Sequence, residues 1–266
     1  MTSDLEKSKE FYTALFGWTY LVGDEEKYAG YTTAFKDGLL VAGFMQCREY
    51  SNGHPDLWTT YLRVDNIFES LEAAKNAGAI VYLEPREVPQ QGKRAILADP
   101  GGAPTGLWEL SGHTGFQAHE EPGASAWHEL HSKDYDATVQ FYAEVFGLKT
   151  TVMSDTAEFR YTNLLDGERE LAGIMDAAAY LPHEAPSSWQ VYFQTDDVDT
   201  AIAKALTLGA TVVNTAEDSP YGRVAGLTDC TGALFKLVQP PHSSRGTAPT
   251  VRKPGIQLPG STKPVS

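Results

Sequence analysis

The sequence predicts an α+β fold of four βαβββ modules arranged as two tandem domains, with the first strand of the first module absent. Three observations carry this expectation. The chain repeats itself: Asp4, Phe11, Tyr12, Phe16 and Gly17 recur 130 places later as Asp134, Phe141, Tyr142, Phe146 and Gly147. Tyr31-Thr32, Ala42-Gly43 and Met45 return as Tyr161-Thr162, Ala172-Gly173 and Met175, and Trp58, Tyr61, Asp65 and Gly78 return at a shift of 131 as Trp189, Tyr192, Asp196 and Gly209. Asp99, Gly102-Ala103 and Leu107 return as Asp229, Gly232-Ala233 and Leu237. So constant a shift means two copies of one domain. Each copy then divides into two similar halves. Finally, the second copy opens with the strand-like run Ala126-Trp127-His128-Glu129-Leu130-His131-Ser132, where the first has only residues 1–3.

The elements are clearest in the second copy. Residues 126–132 alternate as a strand. Asp134 caps a helix running to about Phe146, with Val139, Tyr142 and Phe146 on one stripe and Gly147 as its stop. Strand-like runs follow near 148–153, 158–165 and 169–176, then a loop with Pro182 and Pro186. The order restarts with a strand at 189–195, a helix at 197–208 ended by Gly209, and strands near 211–214, 222–227 and 233–239. In the first copy the halves are about 1–47 and 57–110. The expected domains are 1–111 and 126–240, with 112–125 as an exposed linker and 241–266 as a proline-rich tail that cannot bury a core.

Composition limits the function. The chain has 266 residues, 42% hydrophobic, with a formal net charge of -14. That acidity argues against a nucleic-acid or anionic-membrane partner. No run approaches the length of a membrane span, no signal pattern opens the chain, and Cys47 and Cys230 fall at non-equivalent places in the repeat, so cytoplasm is the expected location. His113, His119 and His242 read as solvent residues, and Cys47 as an inert thiol.

Paired βαβββ units, the Asp4…Phe11-Tyr12…Phe16-Gly17 run with its partner at 134–147, Val64-Asp65-Asn66 with Thr195-Asp196-Asp197, and Asp99-Pro100-Gly101-Gly102-Ala103 with Asp229-Cys230-Thr231-Gly232-Ala233 together resemble the vicinal oxygen chelate superfamily. That superfamily includes glyoxalases, bleomycin-resistance proteins and extradiol dioxygenases. The resemblance spans about residues 1–240, and is closest to tandem glyoxalase-like proteins of actinobacteria that carry a hydroxylase label by inference. It implies that each domain curls into an open cup, and that in the metalloenzymes His, Glu or Gln from the first and last strands of each module hold a metal. The corresponding positions here are Trp127, Gln190 and Lys236 in the second domain, Thr59 and Gly106 in the first, and Met45 and Met175 in the remaining strands. Trp, Thr, Gly and a protonated Lys do not bind a hard divalent cation. No cofactor is therefore expected, and Glu129 and His131 are the only donors left nearby for a metal.

Period-two alternation turns Trp127, Glu129 and His131 to one face and His128 to the other, as a packed or surface histidine. Gln190 and Tyr192 share the cup face, opposite Val191 and Phe193. With Lys236 they make an aromatic cavity holding one acid, one base and one cation, suited to a planar oxygenated molecule. Glu129 and Lys236 are the candidate proton-transfer pair, and Trp127, His131, Gln190 and Tyr192 the candidate ligand contacts. In the first cup the candidates are Tyr61 and Trp108. The expected function is binding of a small organic ligand, with metal-independent chemistry on it. A metal-dependent lyase or dioxygenase and a drug-sequestering protein stand as alternatives. The simplest account of the short first copy is a start placed too late. The open edge it leaves is expected to be covered by the tail or by a homodimer partner.

Overall fold

The computed structural model describes residues 1–46, 56–112 and 115–241. The first module holds α1 (Leu5–Phe16), β1 (Thr19–Val22), a short α2 (Glu25–Tyr28), β2 (Thr32–Lys36) and β3 (Leu39–Phe44). The second holds β4 (Tyr61–Arg63), α3 (Ile67–Asn76), β5 (Ile80–Val88), β6 (Gly92–Ala98) and β7 (Pro104–Leu110). The third is β8 (Ser125–Ser132), α4 (Tyr135–Phe146), β9 (Lys149–Asp155), β10 (Arg160–Asp166) and β11 (Arg169–Asp176). The fourth is β12 (Ser188–Gln194), α5 (Val198–Thr207), β13 (Thr211–Ser219), β14 (Gly222–Thr228) and β15 (Leu234–Gln239). Four βαβββ modules are therefore present, the first without a leading strand among the described residues.

Local chemistry sets the helix ends. Asp4 and Asp134 accept from the N–H groups of Lys7 and Ala137, and Asp197 from Thr200, each satisfying a donor that the first helical turn leaves open. Gly17 and Gly147 close α1 and α4 in the left-handed conformation that glycine adopts at least cost. Two elements differ from expectation. Helix α2 is an added turn capped by Asp24, and β13 runs on to Ser219 because register shifts near Asn214 and Glu217 let the strand bend without ending.

In the second copy β8 is the hinge of one eight-stranded sheet, ordered β13-β14-β15-β12-β8-β11-β10-β9. It pairs antiparallel with β12 and parallel with β11. In the first copy β1-β2-β3 and β4-β7-β6-β5 are separate sheets. Residues 1–3 nonetheless stand where the repeat places them. Thr2 bridges Gln46 in parallel, as Ser132 pairs with Asp176, and Met1 exchanges backbone hydrogen bonds with Leu57, as His131 stands opposite Ser188. The Thr2–Ser8 hydroxyl pair repeats the Ser132–Thr138 pair, both at 2.7 Å. The tail proposed to cover this edge lies outside the described residues, as do His113, His242 and Cys47.

The cores do not follow the copies. One packs α1 and the β2–β3 face against α5, β12, β14 and β15; the other packs α3, β6 and β7 against α4, β8, β10 and β11. Each core thus joins a module of one copy to a module of the other. At its centre, the tyrosine of the helix motif meets the aspartate of the turn motif from the opposite copy. Tyr12 donates to Asp229 at 2.8 Å and Tyr142 to Asp99 at 3.2 Å. The other carboxylate oxygen accepts from the turn itself: Asp99 from the Ala103 N–H, Asp229 from Thr231, Gly232 and Ala233. Burial pushes both phenols well up, so they stay protonated donors.

Most of the connection between the copies is exposed, as Phe116, Gln117 and residues 119–122 are, but it is anchored at a few small residues. Ala118 and Ala124 are buried, Gln117 hydrogen-bonds the backbone of Leu40, and the Trp18 indole donates to the Gly123 carbonyl at 2.6 Å. Its polar composition suggests solvent, but its small residues fit between two packed modules. Phe116 stacks on His128, whose Nδ1 lies 3.0 Å from the Thr60 hydroxyl. The His128 residue keeps partial exposure, yet its Nε2 is covered and has no hydrogen-bond partner among the described residues. Burial holds its pKa down to about 4.

Two predictions follow from this packing. Replacing Tyr12 or Tyr142 by Phe leaves a buried carboxylate oxygen short of a donor and should cost roughly 1–3 kcal/mol each, read as a lower denaturant midpoint. His128 is neutral in the fold and titrates at its usual value, 6.5, when unfolded. Its contribution is complete above that value and is lost as pH falls towards about 4. His128→Gln should therefore flatten the pH dependence of melting temperature across that window.

Candidate functional site

The concave face of the eight-stranded sheet collects the second-copy candidates. Strand register sets Glu129 opposite Gln190, Trp127 opposite Tyr192, and Tyr192 beside Lys236. Residues in register share a face, so Trp127, Glu129, His131, Gln190, Tyr192 and Lys236 come together. His128 and Leu130, between them in sequence, point to the helix side.

Glu129 is the centre of the arrangement, 8% exposed. Its Oε1 accepts from the Tyr192 hydroxyl at 2.7 Å, lies 2.7 Å from His131 Nε2 and 3.5 Å from Lys236 Nζ. Its Oε2 accepts from the Tyr161 hydroxyl at 3.0 Å. Lys236 donates to the Tyr192 oxygen at 2.7 Å and lies 3.3 Å from His131 Nε2, and the Trp127 indole donates to the Tyr161 oxygen at 2.8 Å. Gln190 shares the face but turns its amide to the Ser188 hydroxyl.

Sequence reading missed Tyr161 as a site residue, although its recurrence with Tyr31 was visible. The signal that finds it is the recurring glycine. Gly173 stands in register with Glu129, and a Cβ there would come within 1.9 Å of the Tyr161 hydroxyl. Only a bare backbone lets the phenol cross the strand to the carboxylate.

The electrostatics follow from geometry. Burial alone would raise the Glu129 pKa, but the His131 hydrogen bond, the Lys236 charge and the Tyr192 hydroxyl together hold it down to about 2. Burial and the Glu129 charge push both Tyr161 and Tyr192 upward. Lys236 is lowered by burial, with Glu129 opposing. At neutral pH the cluster is one carboxylate, two protonated phenols and a destabilised ammonium. Phe159 stacks on Tyr161 at 5.6 Å, and Tyr221 is exposed and near enough to act on the Tyr161 phenol, so the rim carries aromatic rings.

The donor set does not fit a divalent metal. Glu129 and His131 are two ligands where about three are needed, and the Lys236 ammonium lies within 3.5 Å of both. Among the described residues no group of three or more His, Cys, Asp or Glu side chains is arranged to hold a metal ion. A cavity of about 310 Å³, lined by Tyr135, Asp136, Arg160 and Thr162 among others, lies on the helix side of the sheet and shares no residue with the cluster.

Tyr61 and Trp108 belong to the first copy's sheet, not to this cluster. Their rings meet edge to face at 5.7 Å, with Tyr61 lying over Gly106, where the second copy has Lys236.

Comparisons agree with this architecture. The profile of the family described as Glyoxalase/Bleomycin resistance protein/Dioxygenase superfamily matches residues 1–106 and 125–237. The chain is 33% identical over 245 residues to the "Putative glyoxylase CFP32" of Mycobacterium tuberculosis, covering 90% of this chain and 92% of that protein. It is 32% identical over 253 residues to the anthracycline biosynthesis protein DnrV of Streptomyces peucetius, covering 89% of each. Among solved structures, the Mn(II)-bound glyoxalase of Novosphingobium aromaticivorans superposes with a TM-score of 0.59 at 16% identity, over 89% of this chain and 78% of that one. At such identity the likeness concerns the fold. No helix among the described residues is long and apolar enough to cross a membrane.

The cluster predicts an acid limb in stability. The Glu129 pKa is depressed from 4.5, so its contribution is complete above that value and is lost as pH falls towards about 2. Lys236→Met should shift this loss to higher pH, because the carboxylate loses a charge that holds its pKa down. Glu129→Gln should abolish it. Unfolding titrations between pH 2 and 6 measure both.

Proposed function

The chain belongs to the glyoxalase/bleomycin resistance protein/dioxygenase superfamily, and from that membership we propose that its second cup binds a planar, oxygenated organic molecule and polarises a carbonyl on it without a metal. The observation that carries the proposal is the Glu129 carboxylate, buried and held ionised by Tyr161, Tyr192, His131 and Lys236. A buried polar group with this many partners fixes the side chains around it. The donors are then preorganised, and little reordering is needed when a ligand oxygen arrives.

The roles divide by charge. Glu129, held down to about 2, is a weak proton acceptor near neutral pH. It acts as the positioning anion that orients the two phenols. Lys236 has three N–H donors and a destabilised positive charge, so it is the group that would take a carbonyl or enolate oxygen. Trp127, Tyr161 and the rim ring of Phe159 supply flat surface for a planar ligand. The relative named for anthracycline biosynthesis makes polycyclic aromatic polyketides the first ligand class to try.

An anthracycline, titrated calorimetrically and by native mass spectrometry, tests the reading. Trp127→Ala and Glu129→Ala should each weaken binding by roughly 1–3 kcal/mol, through lost stacking and lost polar contact, while Trp108→Ala leaves it unchanged. Loss with Trp108→Ala alone would place the ligand in the first copy. One bound transition metal per chain, whose removal abolishes binding, would overturn the metal-independent reading. Stoichiometric binding with the compound returned intact would leave a sequestering protein.

A further inference from the structure

The first copy's four-stranded sheet carries a row of side chains that the second copy lacks. Arg86 on β5 stands opposite Arg94 on β6, Arg94 opposite Trp108 on β7, and Trp108 beside Arg63 on β4. The next row is Leu83, Ile96, Gly106 and Tyr61. Ala95 and Leu97, which alternate with these positions on β6, are in the core. Both rows therefore lie on the concave side. Arg94 acts on the Tyr31 phenol, which lies over Gly43 in the other sheet. Register and this influence together put Arg94 on the side of its sheet that faces Tyr31. Burial pushes Tyr31 up to about 12, so its hydroxyl is a proton donor there.

Arg63, Arg86 and Arg94 make no ion pair or side-chain hydrogen bond among the described residues. This is unusual in a chain with 35 acidic and 21 basic side chains, where a partner would be easy to supply. Like charges directly opposite on a sheet are also destabilising. The fold does not require them. The same register in the second copy reads Glu217, Val224, Val238 and Gln194.

We propose that this row is a second binding site, separate from the Glu129 cluster, for a small aromatic anion. The arginine forks would take its carboxylate or phosphate, with the Tyr31 hydroxyl as a further donor. Its ring would stack on Trp108 and Tyr61, which already present an edge-to-face pair beside the arginines.

Isothermal titration with 2-naphthoate, 2-naphthyl phosphate, neutral 2-naphthamide, inorganic phosphate and oligothymidylates tests the proposal. One of the two aryl anions should bind at least tenfold tighter than both the amide and inorganic phosphate, and the stronger of the two identifies the head group. Arg94→Gln should weaken that binding about tenfold or more, and Arg63→Gln or Arg86→Gln measurably, while Glu129→Gln has no effect. The glutamine variants should melt no lower than the parent, since each relieves like-charge repulsion. If Arg94→Gln does not fold, Arg63→Gln and Arg86→Gln decide the matter from exposed positions. The proposal is overturned if amide and anion bind alike, if inorganic phosphate binds as well as the aryl anions, or if Glu129→Gln is the damaging change. Affinity that grows with oligothymidylate length, or no binding by any probe, overturns it equally. Because it uses no residue of the second cup, it can fail without affecting that reading.

Discussion

Two buried hydrogen bonds, Tyr12 to Asp229 and Tyr142 to Asp99, hold the architecture together. Each ties the helix of one copy to a turn of the other. Each aspartate also closes its own turn through backbone N–H groups. An ionised carboxylate is stable at this depth only if its oxygens are fully engaged. One oxygen of each aspartate is taken by its own turn and the other by the docked tyrosine, so the same carboxylate serves local and long-range structure. Around Tyr12, rings of Phe11, Trp18 and Trp58 lie within 5.4 Å. The hydrophobic contribution and the polar constraint therefore sit in the same place. The constraint is reciprocal, and both copies carry both halves of it.

The two concave faces are free to differ because neither carries this constraint. In the second copy β8 completes the sheet and brings Trp127, Glu129 and His131 into the cup, where Lys236 and Tyr192 meet them. The carboxylate is buried at a cost that only a complete set of partners offsets. Tyr161 reaches it because position 173 is glycine. In the first copy Gly43 keeps the matching space over which Tyr31 lies, while Gly106 leaves room for the Tyr61 ring where the second copy has its lysine. One backbone plan thus holds an anion-centred polar network on one side and an aromatic, arginine-rich surface on the other.

This division has an electrostatic logic. In the second cup a single ammonium is neutralised by a buried carboxylate, so the site presents hydrogen bonds more than net charge. In the first, three guanidinium groups have no ion-pair partner among the described residues, within a chain of net charge -14. The surrounding acidity lowers the potential around the molecule, and a local cationic surface inside a concavity is where an anion would still be drawn.

The module order, both copies, nearly every strand and helix, and the helix caps could be read from the sequence, because repeat spacing and period-two or helical alternation are local properties of the chain. So could the cup face of Trp127, Glu129, His131, Gln190, Tyr192 and Lys236, since alternation along a strand settles which side a residue takes. The rest depended on contacts between distant segments. That Tyr12 belongs to Asp229 and not to its own copy is a matter of how modules dock, and periodicity is silent on docking. That Glu129 is a held anion and a poor base depends on His131 and on Lys236 and Tyr192, which come from two other strands. The alignment of Arg63, Arg86 and Arg94 is invisible in sequence, where they lie scattered over three strands. Strand register, with the bulges in β5 that set it, brings them into one row. Local pattern determined which faces exist; tertiary pairing decided which residues share them.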